Sequence, residues 1–366
     1  MAILSDEQTM LRDMAREWVK NESPIEAFRK VRDGGAAAGF DPAAFQAMAE
    51  MGWAGIVIPE AFGGSDFGWM SLGLVLEETG KTLTASPLAS SALAATALVL
   101  GGSEAAKAQW LPQLAAGTAY GALAIDEGPR HAPSGFATTA SRTADGWTLD
   151  GAKAFVHEAH GAALLIVAAQ GPDGPALFAV PADAPGITLA TRKLTDARSH
   201  AQVTLAGVKL ADAAYLGDAA LLDQLLDRAR IITAAEMLGM AEHSFGVTLD
   251  YLKQRTQFGQ ILSTFQALQH RMAELFTKIE LLRSVVEAAL AALDSNSDVA
   301  AMASLAKATA NDVLHLVSRE VIQLHGGIGM TDEYFIGFYI KRARVLENAW
   351  GGAAFHRDRF ARLSGY

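Results

Sequence analysis

Apolar and polar positions follow three successive rhythms along the chain. Near the start, Ser5 precedes Asp6, Glu7 and Gln8, a helix-opening arrangement with acidic groups at the positive end of the helix dipole. Leu11, Met14 and Trp18 follow at helical spacing. Gly52-Trp-Ala-Gly-Ile-Val-Ile-Pro-Glu-Ala-Phe-Gly-Gly64 interrupts the pattern, because Pro59 and the Gly63-Gly64 pair force an irregular loop. Helical periodicity resumes at Leu72, Leu74, Leu76 and Thr79 and runs through Trp110, with Pro112 and Gly117 closing the region. The most apolar run, Leu88 to Leu100, falls short of the roughly 20 residues needed to span a bilayer and is expected to be a buried helix.

The rhythm then shortens. Gly121–Ile125, Ala137–Arg142, Trp147–Leu149, Ala163–Val167, Ala176–Val180 and Gln202–Leu205 read as strands, with Asp145-Gly146 and Asp150-Gly151 as turn pairs. Short strands at this spacing predict a small antiparallel barrel or sandwich. Helical spacing returns with Leu221, Leu222, Leu225, Leu226, Ala229, Ile232 and Thr233. Further helices are expected over Phe265–Leu293, Val299–Gln323 and Tyr334 to about Leu363, with Asp294-Ser-Asn-Ser-Asp298 as a polar connection. The expected organisation is an N-terminal α-helical domain over 1–118, a middle antiparallel β-barrel or sandwich over 119–217, and a C-terminal domain of four-helix-bundle type over 218–366.

Composition narrows the function classes. The chain has 366 residues and a formal net charge of −10, which argues against a nucleic-acid partner. An anionic ligand must therefore find a local cationic site. Cysteine is absent, which excludes disulfides, thiolate metal sites and cysteine nucleophiles. The early acidic residues do not read as a signal peptide, so a cytoplasmic, non-membrane protein is expected. The nine histidines show no metal-ligand spacing, so no metal site is expected. His356, between Phe355 and Arg357, is expected at the surface.

Four motifs stand in order along this frame: Ile58-Pro-Glu-Ala-Phe-Gly-Gly64; Trp147-Thr-Leu-Asp-Gly-Ala-Lys-Ala-Phe-Val156; Arg255-Thr-Gln-Phe-Gly259 with Phe265-Gln-Ala-Leu-Gln-His270; and Gln323-Leu-His-Gly-Gly-Ile-Gly-Met-Thr-Asp-Glu-Tyr334. Together they resemble the acyl-CoA dehydrogenase family over essentially the whole chain. The resemblance implies FAD between the middle and C-terminal domains, an acyl-CoA substrate and a dimer or tetramer. Arg255, Gln257 and Phe258, with Phe265, Gln266 and Gln269, would reach the ADP half of a FAD held in the neighbouring subunit. Gln323, Gly326 and Gly327 would do so from a helix end. Read alone, Arg255 is equally the end of an exposed helix, and Gly326-Gly327 a helix terminator. The resemblance places Ile125, Phe155 and His157 at the isoalloxazine ring; alternatively His157 is a strand histidine without a role. The family's usual Thr-Glu-Pro and Gly-Ser-Asp are replaced here by Asp126-Glu-Gly-Pro-Arg-His-Ala-Pro-Ser134.

The family reaction needs a carboxylate to take the α-proton of the thioester. At the two places where the family carries it, this chain has Trp350 and Ala229. Trp350, and Arg230 beside Ala229, become candidate substrate contacts. Glu236 lies seven residues after Ala229 on the same helix face, displaced by about 10 Å. It is the first candidate base, with a structural ion pair as the alternative reading. Glu347 is the second. The expected function is FAD-dependent α,β-dehydrogenation of an acyl-CoA in fatty-acid or steroid side-chain degradation, with electrons passed to an electron-transfer flavoprotein. The alternative is a non-catalytic or partner-dependent subunit of a mixed tetramer, completed by a second acyl-CoA dehydrogenase subunit. A flavin oxidase or monooxygenase is a third reading.

Overall fold

The computed structural model describes residues 3–35 and 38–366. Met1, Ala2, Ala36 and Ala37, within the stretch expected to be helical, lie outside the described residues. The N-terminal part is helical: α1 (Asp6–Asn21), α2 (Ile25–Gly34), α3 (Pro42–Glu50), α4 (Gly68–Lys81), α5 (Leu88–Gly101) and α6 (Glu104–Ala115). Ser5 opens α1 with a reciprocal capping box: its Oγ accepts from Gln8 N at 3.2 Å while its own N–H donates to Gln8 Oε1 at 3.1 Å. The Gly52–Gly64 segment is irregular, with two single 3-10 turns. Every residue of α5 from Ser90 to Leu98 is buried, which explains a helix with no polar face.

The middle part holds β1 (Gly121–Ala124), β2 (Thr139–Thr143), β3 (Gly146–His157), β4 (Leu164–Gly171), β5 (Gly174–Pro181), β6 (Ile187–Lys193), β7 (Ser199–Leu210) and β8 (Tyr215–Asp218). They form one sheet in the order β6-β7-β3-β2-β4-β5-β8, with β1 added on β4. The order is open, so the sheet does not close into a barrel. Nor is it purely antiparallel: β1 pairs with β4 in parallel, Gly121 opposite Leu164, and β2 meets β4 in parallel at Thr139–Gln170. Leu149, Phe178, Val180, Val203 and Leu205 lie in its core.

Asp150-Gly151 makes no turn. β3 runs through it, and the register against β7 slips there and again between Lys153 and Val156. The slips absorb extra residues as bulges, which bend the strand. β6 and β8 were not foreseen. β6 is largely exposed, so it lacks a long apolar run; β8 is four residues long.

The C-terminal part comprises α7 (Ala219–Gln254), a miniature hairpin of β9 (Thr256–Gln257) and β10 (Gln260–Ile261), then α8 (Gln266–Ser295), α9 (Val299–His325), α10 (Ile336–Asn348) and α11 (Ala353–Leu363). The helix expected over Tyr334–Leu363 is thus two. Trp350 at φ 58° and Gly351 at φ 109° break the run. Asn296 and Asp298, both left-handed, turn the chain between α8 and α9.

By contact the chain divides into two compact units. One gathers residues up to Phe28, Gly73–Thr84 and Arg230–Tyr366; the other gathers Arg29–Leu72 and Ala85–Ala229. In the first, α4 and α7 meet backbone to backbone. A Cβ on Gly239 would overlap the carbonyl oxygen of Glu77, and one on Gly80 that of Glu236. Beside this crossing Lys81 Nζ reaches Glu78 at 2.8 Å and Glu242 at 3.5 Å, while Arg283 pairs with Glu77 at 3.3 Å and also with Glu242. Among the described residues no helix is long and apolar enough to cross a membrane.

Candidate functional site

In the first unit, α7 runs out at Gln254 and the chain turns through the hairpin β9–β10. Phe258 (φ 54°) and Gly259 (φ 79°) form its two-residue loop, the left-handed pair such hairpins require. Leu262 N–H closes the excursion on Arg255 O at 2.9 Å. The turn thrusts out Phe258, which is 89% exposed. Facing it is the end of α9, followed by Gly326 (φ 64°) and Gly327.

Arg255, Gln257, Phe258, Gln323, Gly326 and Gly327 line a single groove of about 300 Å³. Phe265 meets the Phe258 ring edge-on at 6.3 Å. Gln266 and Gln269 are exposed on the first turns of α8, outside the groove wall. The helix end here is a C-terminus, which offers carbonyls rather than N–H groups. Positive charge comes instead from Arg255 and Arg271, the latter paired with Glu320 at 2.7 Å.

Tyr251 and His325 also line the groove, and neither was singled out from the sequence. Their rings stack at 4.4 Å. His325 Nδ1 donates to Val321 O at 2.7 Å, and burial pushes its pKa down, so the ring is neutral at pH 7. The signal was the histidine immediately before the Gly-Gly pair.

In the second unit, Phe155 lies in the β3 bulge at φ 54°, and Glu158, just past the strand, stands at φ 50°. Left-handed non-glycine residues on both sides of Val156-His157 fix how that dipeptide is displayed. Phe155 is 36% exposed. His157 is half-buried and lies against His200, ring centroids 4.4 Å apart, as its cross-strand partner on β7. Ile125 is buried just past β1, and its carbonyl accepts from Lys153 Nζ at 3.1 Å. Asp126 Oδ1 meets His131 Nδ1 at 2.8 Å.

The carboxylates proposed as bases are both engaged. Glu236 accepts from Arg342, Nε at 2.9 Å and Nη2 at 3.2 Å. Glu347 meets His315 Nδ1 at 3.2 Å and Arg344 Nη1 at 3.0 Å. Trp350 sits in the break between α10 and α11, and its carbonyl accepts from Arg230 Nε at 3.3 Å and His356 Nε2 at 3.0 Å. His356 is fully buried, contrary to the surface position expected, because this carbonyl holds it inward. Arg230 is 1% exposed and lies over the Phe355 ring.

Lys307, fully buried on α9, binds Asn311 Oδ1 at 2.7 Å, Leu346 O at 2.9 Å and Gly351 O at 3.2 Å. The backbone around Trp350 is therefore anchored from three helices. Among the described residues, no three His, Asp or Glu side chains gather as a metal-ligand set.

A helical N-terminal part, a middle sheet and a helical C-terminal part define a three-part α–β–α architecture. Family models match it piece by piece: acyl-CoA dehydrogenase N-terminal domain over 5–118, middle domain over 126–209 and C-terminal domain over 219–364. The chain belongs to the acyl-CoA dehydrogenase family. It is 31% identical to the probable acyl-CoA dehydrogenase YngJ of Bacillus subtilis (strain 168) over 98% of each chain. The structure of a single-site variant of the Tcur3481-Tcur3483 steroid ACAD matches with a TM-score of 0.92 at 33% identity, covering 98% of each chain. The ChsE4-ChsE5 complex from Mycobacterium tuberculosis matches with a TM-score of 0.92 at 25% identity, over 100% of each chain.

Proposed function

We propose that this chain acts in the α,β-dehydrogenation of an acyl-CoA thioester with FAD as cofactor, the electrons leaving to an electron-transfer flavoprotein. The observation that carries it is the groove of Arg255, Gln257, Phe258, Gln323, Gly326 and Gly327 in a chain matched by all three family models. The groove suits the ADP half of FAD. Nothing lies within 4 Å of a Cβ built on Gly326 or Gly327, leaving a cradle that a side chain would fill. Arg255 and Arg271 supply cations for a pyrophosphate, and Phe258 supplies an apolar face. Bound FAD supplies the acceptor for the β-hydride. Ile125, Phe155 and His157 are the residues we assign to the ring end, with Phe155 as apolar cover and His157 as a hydrogen-bond donor.

Among the described residues, both carboxylates considered as bases are already paired. Trp350 and Ala229 occupy the family's two positions. For Glu236 to take a proton, it would have to break its ion pair with Arg342. We assign it to structure and Trp350 to the substrate side, with Arg230, fully buried against the Trp350 carbonyl, holding that loop rather than touching substrate. These engaged carboxylates favour a second reading: the chain turns over substrate only with a second, base-bearing subunit. The likeness to the ChsE4-ChsE5 complex supports a partner of that kind, and the likeness to a steroid ACAD supports a bulky acyl group.

The deciding experiment adds a panel of acyl-CoA esters to the purified flavoprotein without oxygen and follows the visible flavin band. Bleaching by one ester supports the self-sufficient dehydrogenase. A band that bleaches only when a base-bearing homologue is added supports the second reading. A chain that takes up no FAD overturns the cofactor assignment.

A further inference from the structure

Between β1 and β2 the chain makes an excursion over residues 125–138, and both its ends converge on one buried lysine. Lys153, on β3, has no exposed surface. Its Nζ donates to Ile125 O at 3.1 Å, where the excursion leaves β1, and to Glu127 Oε1 at 2.7 Å. The same ammonium lies 4.1 Å from the centre of the Phe136 ring, where the excursion returns. Glu127 completes the tie. Its carboxylate accepts from Ala137 N at 2.6 Å and Thr138 N at 2.9 Å, so one side chain spans the neck of the loop. Ala154 N, next to the lysine, donates to Asp126 O at 2.7 Å.

A charged group is not buried without reason, since removing an ammonium from water costs several kcal/mol unless it is paired and hydrogen-bonded. Here the ammonium has a carboxylate, a carbonyl and an aromatic face. Such a network fixes geometry more firmly than an apolar plug, which has no preferred direction.

We propose that Lys153 and Glu127 are positioning residues that hold the loop 126–136 as a preformed lip of the flavin-ring site. The proposal rests on the assignment of Ile125, Phe155 and His157 to that ring. Ile125 supplies one of the lysine's acceptors, and Phe155 lies two residues beyond Lys153 across the bulge. One buried cation thereby sets the spacing between the two segments assigned to the ring. Opening the brace should loosen the loop and lower FAD affinity without unfolding the sheet.

The brace is also proton-sensitive. Burial pushes Lys153 down to about 8, against the opposing pull of Glu127 and Asp126. Burial alone would raise Glu127, but its bonds from Lys153, Thr138 and Ala137 outweigh that and hold it below the usual carboxylate range. Of the neighbouring groups, Glu127 faces the ammonium directly, and Asp126 acts at longer range while paired with His131. Above pH 8 the lysine loses its charge and the tie to Glu127 weakens.

The test uses the full chain and two readouts: trypsin cleavage after exposed Arg130, identified by fragment mass, and FAD affinity from flavin-fluorescence titration. Glu127→Gln keeps the shape and removes the charge; Lys153→Met removes the tie altogether. We expect cleavage at least tenfold faster, FAD binding at least tenfold weaker, and a loss of wild-type affinity above pH 8 that Glu127→Gln does not show. Unchanged cleavage in Glu127→Gln overturns the brace. Faster cleavage with unchanged FAD affinity and no pH effect overturns its role at the flavin. Failure of the wild type to bind FAD overturns the cofactor reading instead, and cleavage still decides the brace.

Discussion

Both carboxylate oxygens of Glu236 accept from the one guanidinium of Arg342, Nε to Oε1 at 2.9 Å and Nη2 to Oε2 at 3.2 Å. The pair joins α7 to α10 where both side chains are largely shielded, 14% and 7% exposed. Removing one partner of such a pair leaves a charge without compensation, a loss on the order of 3 kcal/mol. Glu236→Gln should therefore lower the melting temperature by several degrees, and the Glu236→Leu, Arg342→Leu double variant should recover part of that. Unchanged melting with abolished substrate-driven bleaching would instead return Glu236 to the role of base.

The loop around Trp350 is held by its backbone. Arg230 and His356 grip the Trp350 carbonyl, and Lys307 grips those of Leu346 and Gly351. These bonds run through the backbone, so their grip on the loop should persist in Trp350→Glu while a carboxylate is presented. If the chain lacks its own base, bleaching by a productive acyl-CoA should accelerate by roughly a hundredfold, the low end of what a positioned base contributes. Stopped-flow absorbance would show it. No acceleration at unchanged FAD content would count against position 350 as the base position.

Lys307 gives a signed pH dependence. Burial pushes its pKa down to about 7, with Glu347 raising it and Arg230 lowering it further. The unfolded chain binds more protons than the folded one between about pH 7 and the ordinary lysine value near 10.5, so this lysine's contribution to stability rises with pH across that window. The penalty of Lys307→Met, measured by denaturation against the wild type, should be larger at pH 9.5 than at pH 6.5 by about 1 kcal/mol or more. A penalty that shrinks with rising pH would contradict the burial argument.

The glycine pair at the groove separates folding from binding. Gly326 holds φ 64° with ψ −139°, outside the left-handed helical region, where a side chain is strained by about 1–3 kcal/mol. Gly327 has ordinary φ and no neighbour within 4 Å of a built Cβ. Gly327→Val should thus melt close to the wild type yet bind FAD at least tenfold more weakly. Normal FAD titration of that variant would remove the glycines from the cofactor site.

At the α4–α7 crossing the reverse holds. A Cβ on Gly239 would overlap the Glu77 carbonyl, so Gly239→Ala must push two helices apart. A melting-temperature drop larger than that of Gly327→Val is expected by thermal scan.

The three-rhythm layout was legible because α5, the strand cores and the α7 stripe carry strong periodicity. The groove was legible in part, since Arg255-Thr-Gln-Phe-Gly259 and the Gly-Gly pair are local motifs; Tyr251 needed the fold to bring it to His325. The parallel pairing of β1 with β4 was hidden, because partner choice leaves no mark on a strand's own alternation. The same holds for Asp150-Gly151: the dipeptide favours a turn, yet cross-strand pairing with β7 carried β3 through it. Burial of His356 depended on a backbone carbonyl six residues upstream, which hydrophobic patterning does not record.

The first compact unit draws on three separated stretches: residues up to Phe28, Gly73–Thr84 and Arg230 onward. On the ribosome its opening helices meet the Gly73–Thr84 stretch early, through Arg16–Glu78 and Ser23–Thr84, but the unit is completed only by residues from Arg230 onward, roughly 200 residues behind them. At typical synthesis rates of 5–20 residues per second that is a wait of about 10–40 s. For that interval Phe28, whose ring meets Phe338 edge-on in the finished fold, lacks that partner, so the nascent chain should be a client of holding chaperones until its last helices appear. Truncation from the C-terminal end would prolong the exposure of the first residues made.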